Sequence, residues 1–391
     1  MTARRPSSFA LLLALSCTAC GDETDPGSAA DGAPQAAPDG APQAAPDGAA
    51  QAAPDAGNPT DAAVAPDSGP AAACAPFVMP SDCVIPENSA LPASLACTGL
   101  YADMAAQMPA CEVMAYTPGL TLYSDGADKH RWVRIPAGKS IDTTDPNELV
   151  FPVGTQLWKE FRIGTDKRRA ETRLMQKTAR GWVYTSYVWS EDGKTATQQN
   201  EGVKNLFGMG HDVPTRDQCN ECHVGRRDFI LGWDGFSLGS GALGLDAASL
   251  EQRGLLSAKL PTFALPGNTV EQQALGYLHM NCGVSCHNPN PKCKGFETGL
   301  MLRLEPGQLA GPSPAETTGV DRKPTTNAKM GGLTIPADGF VDIARGDVSR
   351  SLLVARMKVR GVDAQMPRIG TNVVDTAGVA AVEAWITGLK R

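Results

Sequence analysis

The sequence predicts an α+β chain in which an antiparallel, β-sandwich-like domain is followed by mainly helical modules. Two observations carry this. Between about 115 and 205 the apolar pattern has a period of two and is punctuated by hairpin signals. Beyond 205 the pattern turns to short helices separated by loops, and both of the chain's cysteine–histidine motifs lie there.

The chain starts with an export signal over residues 1–20. Arg4 and Arg5 supply charge, Phe9 to Leu15 an apolar core, and Ser16 to Cys20 a small-residue cleavage region. The apolar run is too short to span a bilayer. A cysteine at such a cleavage site predicts a bacterial lipoprotein. Cys20, after Ala19, is preferred as the lipid carrier over Cys17, after Ser16, with an ordinary secreted protein as the alternative. The expected location is therefore the bacterial cell envelope, periplasmic or at the outer membrane, with the chain held to the membrane by its lipid.

Residues 21–72 are built on an Asp-Gly-Ala-Pro-Gln-Ala-Ala-Pro octad at 31–38 and 39–46, with a near copy at 47–54. So few large apolar groups cannot form a core, and a disordered tether is expected. At about 3 Å per residue it would reach up to roughly 150 Å. Residues 73–114 form a Cys-rich leading segment. Cys74, Cys83, Cys97 and Cys111 are expected to form two disulfides, in a pairing that spacing does not reveal.

In the β-rich domain, 115–205, Gln156 to Ile163 alternates, with Leu157, Phe161 and Ile163 on one face and Trp158 and Arg162 on the other. Arg169–Gln176 and Trp182–Trp189 flank a Thr-Ala-Arg-Gly turn and read as a hairpin. Further on, Pro214 suits the first turn of a helix, Leu245 to Leu256 another, Asn268 or Thr269 can cap a third, and Asp375 caps the last.

Cys219-Asn220-Glu221-Cys222-His223 reads C-x-x-C-H, the attachment signature of c-type haem. Two thiols at this spacing can bond the two vinyl groups of one haem, and the adjacent histidine can ligate iron. A structural zinc site would want two more Cys or His nearby, and none follows within fifty residues. Cys282 to His287 reads C-x-x-x-C-H, one residue longer, which a loop between the two thioether bonds could absorb. A disulfide from Cys282 to Cys286 or Cys293 competes with that reading. Two covalent haems c are thus expected, in a first module over 206–267 and a second, cytochrome c-like one over 268–391.

For sixth ligands, Met366 in Gln-Met-Pro-Arg-Ile-Gly is expected to serve the second haem, since a thioether suits low-spin iron at raised potential. His211 is slightly favoured for the first haem over Met209, with a structural histidine as the equal alternative. Met357 reads as core.

These features resemble an uncharacterised bacterial family of exported dihaem c-type cytochromes. The matching residues are Ser124 to Ala127 with Lys129, Arg131 and Trp132; Phe151 to Thr155; Glu171 to Leu174; and Tyr187 with Trp189. They continue in Pro214 to His223, Leu231-Gly232, Tyr277-Leu278 with Asn281-Cys282, and Ser351 with Met366-Pro367. The similarity covers about residues 95 to 389. It implies two covalent haems behind a β-rich domain and names no substrate. The Cys282–Cys286 spacing departs from the family's shorter one.

The expected function is electron transfer between redox proteins of the envelope. The alternatives are a dihaem peroxidase or oxygenase with one open iron, and a haem-anchored binding or sensor protein. A net charge of −7 and the lack of a basic block argue against nucleic acid as a partner.

Overall fold

The structure, a computed structural model, describes residues 74–86, 91–239, 241–325 and 330–390. The expected export signal, Cys20 and the expected tether lie outside the described residues.

The alternating segments pair as sequential hairpins. Strands β3 (Met114–Ala115), β4 (Asp128–Arg134), β5 (Gln156–Ile163), β6 (Arg168–Thr178), β7 (Gly181–Trp189) and β8 (Ala196–Gln199) form one six-stranded antiparallel meander. Two ribbons stand beside it: β1 (Tyr101–Asp103) with β2 (Met108–Pro109), and β9 (Val203–Leu206) with β10 (His211–Val213). The predicted hairpin is β6–β7, in register from Glu171 opposite Val188 to Thr178 opposite Gly181.

The sandwich expectation is met only in part: the strands are antiparallel, but among the described residues the six-stranded sheet is accompanied by two-stranded ribbons and not by a second sheet of its size. Both of its faces are covered from elsewhere in the chain. On one face Trp132, Trp158, Leu174, Tyr187 and Trp189 pack under Leu91, Leu95, Leu100 and Tyr101 of the leading segment. Disulfides Cys74–Cys111 and Cys83–Cys97 staple that segment. On the other face Val133 and Leu157 join Ile230, Trp233, Leu238, Leu245 and Leu250. Alternation shows that a strand face is buried, and leaves open what buries it.

The mainly helical modules are also corrected. Beyond 205 the helices are short: α1 (Arg216–His223), α2 (Ala247–Gln252), α3 (Thr269–Leu278), α4 (Pro314–Gly319), α5 (Leu352–Met357) and α6 (Thr376–Gly388). Turns and extended chain make up the rest. Residues 230–260 share a core with the sheet and add the bridges Thr117–Leu243 and Ile141–Leu256. Asn268 caps α3 and Asp375 caps α6, as expected. Pro214 lies outside α1, because Thr215 is its N-cap, in a reciprocal capping box with Gln218.

The second core joins α3, α5 and α6. Ala274, Leu275 and Leu278 meet Val379, Val382, Trp385 and Ile386, with Leu353, Val354 and Met357 beside them. Helices α3 and α6 cross where Gly378 faces Tyr277, and a Cβ on Gly378 would stand 2.2 Å from that ring.

Candidate cofactor-binding site

Both cysteine–histidine motifs open onto one cavity of about 390 Å³, inside the range of roughly 300–1,000 Å³ usual for ligand and cofactor sites. Its wall includes Cys222, His223, Cys282, Cys286, His287 and Met366. Residues more than 140 positions apart in sequence thus meet at one site.

The first motif is carried by α1. On a helix, positions i, i+3 and i+4 share a face, so Cys219, Cys222 and His223 do too. None of the residues of α1 is fully buried, and its motif face looks onto the cavity rather than onto core. Cys219 sits one turn back, off the cavity wall, where burial raises its thiol and Arg173 opposes the rise.

The second motif follows α3 through a wide π-type turn, His279–Gly283. Val284 N–H donates to the His279 carbonyl (2.8 Å) and His287 N–H to the Cys282 carbonyl (2.8 Å), both five residues back. The extra residue between Cys282 and Cys286 is therefore absorbed by a widened helical turn, not by a loop. Asn281 fixes this turn: its Oδ1 accepts from Tyr123 N–H (2.7 Å) and its Nδ2 donates to the Tyr277 carbonyl (3.2 Å).

The two histidines are oriented alike. His223 Nδ1 lies 2.5 Å from the Phe229 carbonyl, and His287 Nδ1 lies 3.1 Å from the Leu300 carbonyl. A carbonyl can only accept, so each Nδ1 carries the proton and each Nε2 keeps its lone pair. Burial lowers both imidazoles to about 4, so they are neutral. A neutral ring held through one nitrogen is how a metal-ligating histidine is prepared.

The loop that supplies the Phe229 carbonyl is anchored. Asp228 accepts from Phe151 N–H (2.6 Å), Lys177 Nζ (2.5 Å) and Trp182 Nε1 (3.1 Å). These contacts hold Phe229 at φ 69°, a left-handed conformation that a bulky residue adopts only under constraint.

The motifs touch each other as well. A Cβ on Gly225 would lie 2.4 Å from the Ser285 carbonyl oxygen and 2.7 Å from Cys293 Sγ. Asn290 Nδ2 donates to the Gly225 carbonyl (3.4 Å). Glu148 joins the two flanks, taking Arg303 at 2.5 Å and Arg226 at 3.5 Å.

The thiols of Cys222 and Cys286 are coupled across the motifs: sharing a proton with Cys222 holds Cys286 below the ordinary thiol range, and the same coupling with burial holds Cys222 above it. Burial pushes Cys282 up to about 12. None of Cys219, Cys222, Cys282, Cys286 and Cys293 is in a disulfide. Cys293 is a buried thiol on the Asn288 side-chain oxygen (3.2 Å), so the competing bridge to Cys282 is not formed.

Sequence reasoning placed Met366 with His287, and both are on the cavity wall. His211 is elsewhere. It lies on β10 beside Phe161, with Nε2 3.0 Å from Glu171 Oε1, and does not line the cavity. His279, near the second motif, is enclosed in the core. Its Nδ1 accepts from Leu304 N–H (2.9 Å) and its Nε2 faces Asp234 at 3.8 Å.

Sequence reasoning missed Met175 and Met280, two thioethers on the same wall. It also missed the basic lining of Arg131, Lys159, Arg173, Lys294, Arg356 and Arg368, against one acid, Glu221. Lys159 is held well below the ordinary lysine range by burial and then by Arg131, Lys129 and Arg173. Strand alternation could have flagged Arg131, Lys159 and Arg173 as one face, but only the pairing register brings them together.

Among the described residues, no cluster of three or more His, Cys, Asp or Glu is placed to hold a bare metal ion, and no helix is long and apolar enough to cross a membrane. No family model, curated protein or solved structure matches the chain.

Proposed function

We propose that this chain is an exported dihaem c-type cytochrome that carries electrons between redox proteins of the bacterial cell envelope, held to the membrane through a lipid on Cys20. The observation that carries the reading is the matched pair of motif histidines. Each is pinned at Nδ1 by a backbone carbonyl and keeps Nε2 unprotonated beside a cavity lined by motif thiols.

The residues fit haem c. Cys219 and Cys222 would hold the first group with His223, and Cys282 and Cys286 the second with His287; Met366 is the candidate sixth ligand there. When bound, each haem supplies a one-electron iron couple whose potential its axial ligands and surroundings tune. The chain's part is to hold the imidazoles neutral and oriented and to keep the thiols free for attachment. It also brings the two motifs into contact, which shortens the path between the groups. The resemblance drawn from the sequence points the same way.

The second reading, a peroxidase or oxygenase, is favoured by one observation. His211 is engaged by Glu171 outside the cavity, so the first iron would need Met175, Met280 or an exogenous ligand in its sixth position.

Intact mass after export-competent expression tests the proposal. The mature chain should exceed its polypeptide mass by two haems and the lipid on Cys20, and Cys286→Ser should alter attachment at the second site. A one-haem mass unaffected by Cys286→Ser removes the second site, and a bare polypeptide mass removes the proposal.

A further inference from the structure

The carbonyls that orient the two histidines lie on separate loops, and an arginine of each loop runs back to its own histidine. Arg226 N–H donates to the His223 carbonyl (3.2 Å). The Arg226 carbonyl accepts from Phe229 N–H (3.4 Å), and Phe229 is the residue whose carbonyl takes His223 Nδ1. In the second loop Arg303 N–H reaches the His287 carbonyl (3.4 Å) beside Leu302 N–H (2.8 Å). Both follow closely on Leu300, whose carbonyl takes His287 Nδ1.

The side chains of these two arginines end on one carboxylate. Glu148 Oε1 accepts from Arg303 Nη1 (2.5 Å), while Oε2 accepts from Arg227 N–H (2.9 Å) and faces Arg226 Nε at 3.5 Å. The side chains of Arg226 and Arg303 are only 2% and 9% exposed and that of Glu148 13%. Ion pairs so shielded hold one geometry, because a buried charge parted from its partner is costly. The turn beneath Glu148 is itself fixed. Asn147 N–H donates to the Asp145 side chain (2.9 Å) and Glu148 N–H to the Asp145 carbonyl (3.1 Å). From the same turn the Asn147 carbonyl accepts from Arg226, and Asn147 Nδ2 donates to Glu305 (2.7 Å), which also takes Arg303 Nε (2.9 Å). Glu148 does not line the cavity, so it acts on the site through the two arginines.

We propose that Glu148 is a positioning residue shared by both haem sites. One carboxylate, on the connection between β4 and β5, sets the two loops that aim His223 and His287. This rests on the dihaem reading and adds to it that the two axial histidines are oriented as a unit. Groups around a ligating histidine fix its ring; here the two sets of such groups converge on a single side chain.

The test uses the mature two-haem protein and its Glu148→Gln variant, with intact mass, thermal melting and the ferric spin-resonance spectrum on the same samples. Glutamine keeps the length and loses the charge that holds both arginines. The g values of a ferric haem follow the plane of its axial imidazole, which loss of stability alone does not turn. Cys83→Ser with Cys97→Ser, destabilised away from the cavity, is the control and keeps the parent spectrum. In Glu148→Gln the signals of both haems shift. Arg226→Lys and Arg303→Lys keep the charge and lose the planar fork, and each shifts the spectrum as well. A Glu148→Gln spectrum in which neither signal or only one moves overturns the proposal, as does an equal shift in the control. Parent spectra in either lysine variant also overturn it, because the effect is then charge and not aim. If Glu148→Gln does not yield folded two-haem protein, the lysine variants decide by the same criterion. The mass separates the two ideas: a parent with fewer than two haems defeats the dihaem reading, whereas two haems with unmoved signals defeat only this one.

Discussion

Met366 reaches the cavity from the loop between α5 and α6, and the bond from its N–H to the Arg356 carbonyl (2.9 Å) fixes where its side chain starts. If its sulfur completes the second iron, Met366→Ala should abolish the weak sulfur-to-iron absorption toward the red and lower that haem's potential, because a thioether favours reduced iron. An unchanged spectrum assigns Met366 to packing. Glu171 offers a second measurement at this scale. Burial raises its carboxyl, but Arg173 and the bond to His211 outweigh burial and bring it from 4.5 to about 2. A lowered carboxyl stabilises the fold fully above its unfolded value. Its contribution, on the order of 3 kcal/mol, is lost as pH falls from about 4.5 toward 2. Glu171→Gln should flatten denaturant-measured stability across that window. It should also cost about 3–5 kcal/mol at neutral pH, since Arg173 and His211 lose their anion. An equally steep acid limb in the variant would show that other carboxylates set it.

At the scale of elements, the second motif is aimed by the crossing of α3 and α6. Gly378 lets the terminal helix settle against Tyr277, one turn before the π-type turn that carries Cys282. Gly378 has an ordinary backbone conformation, so Gly378→Ala adds only a methyl group where Tyr277 stands. Overpacking of this kind costs about 1–3 kcal/mol, against a small gain in helix propensity. The melting midpoint should fall, and the spectrum of the second haem should broaden or shift as the motif loosens. A midpoint at or above the parent's would mean that the crossing yields freely. The aromatic face of the sheet depends likewise on its stapled cover. Cys83 and Cys97 close a loop of 14 residues' separation, worth about 3 kcal/mol in the chain-entropy account. Cys83→Ser with Cys97→Ser should lower stability by roughly that amount, measured by denaturant unfolding, and leave the haem count at two.

On the scale of the whole molecule, the cavity is assembled by the sheet, the leading turns over 116–124, both motifs and the loop before α6. Bringing both cysteine–histidine motifs into one enclosure would suit the proposed electron relay, because the groups would sit close and share shielding from water. Reduced protein should be oxidised quickly by a small cytochrome acceptor, and it should bind carbon monoxide slowly if Met366 serves the second iron and Met175 or Met280 the first. Rapid carbon monoxide binding at one haem, with peroxide turnover lost in His223→Ala, would place the chain among haem enzymes. Stopped-flow spectroscopy of the same sample distinguishes the two.

Local chemistry made some features legible from the sequence alone. The C-x-x-C-H spacing on a capped helix, the caps of α3 and α6, and the β6–β7 hairpin depend on residues close together in the chain. Side-chain hydrogen bonds and strand periodicity act over those distances. The two bridges among Cys74, Cys83, Cys97 and Cys111 were expected, but the pairing needed the fold to bring Cys74 to Cys111. The one large sheet in place of a sandwich's two was not legible, because a period of two records burial without naming the cover. For His211 the sequence left two readings open, an iron ligand or a structural histidine, and closeness to the first motif could not choose between them; the sheet register sets it against Glu171. The meeting of both motifs at Gly225 and Ser285, and the row of Arg131, Lys159 and Arg173, belong wholly to the tertiary structure. They arise from contacts between residues tens of positions apart, which only strand pairing and core packing bring together.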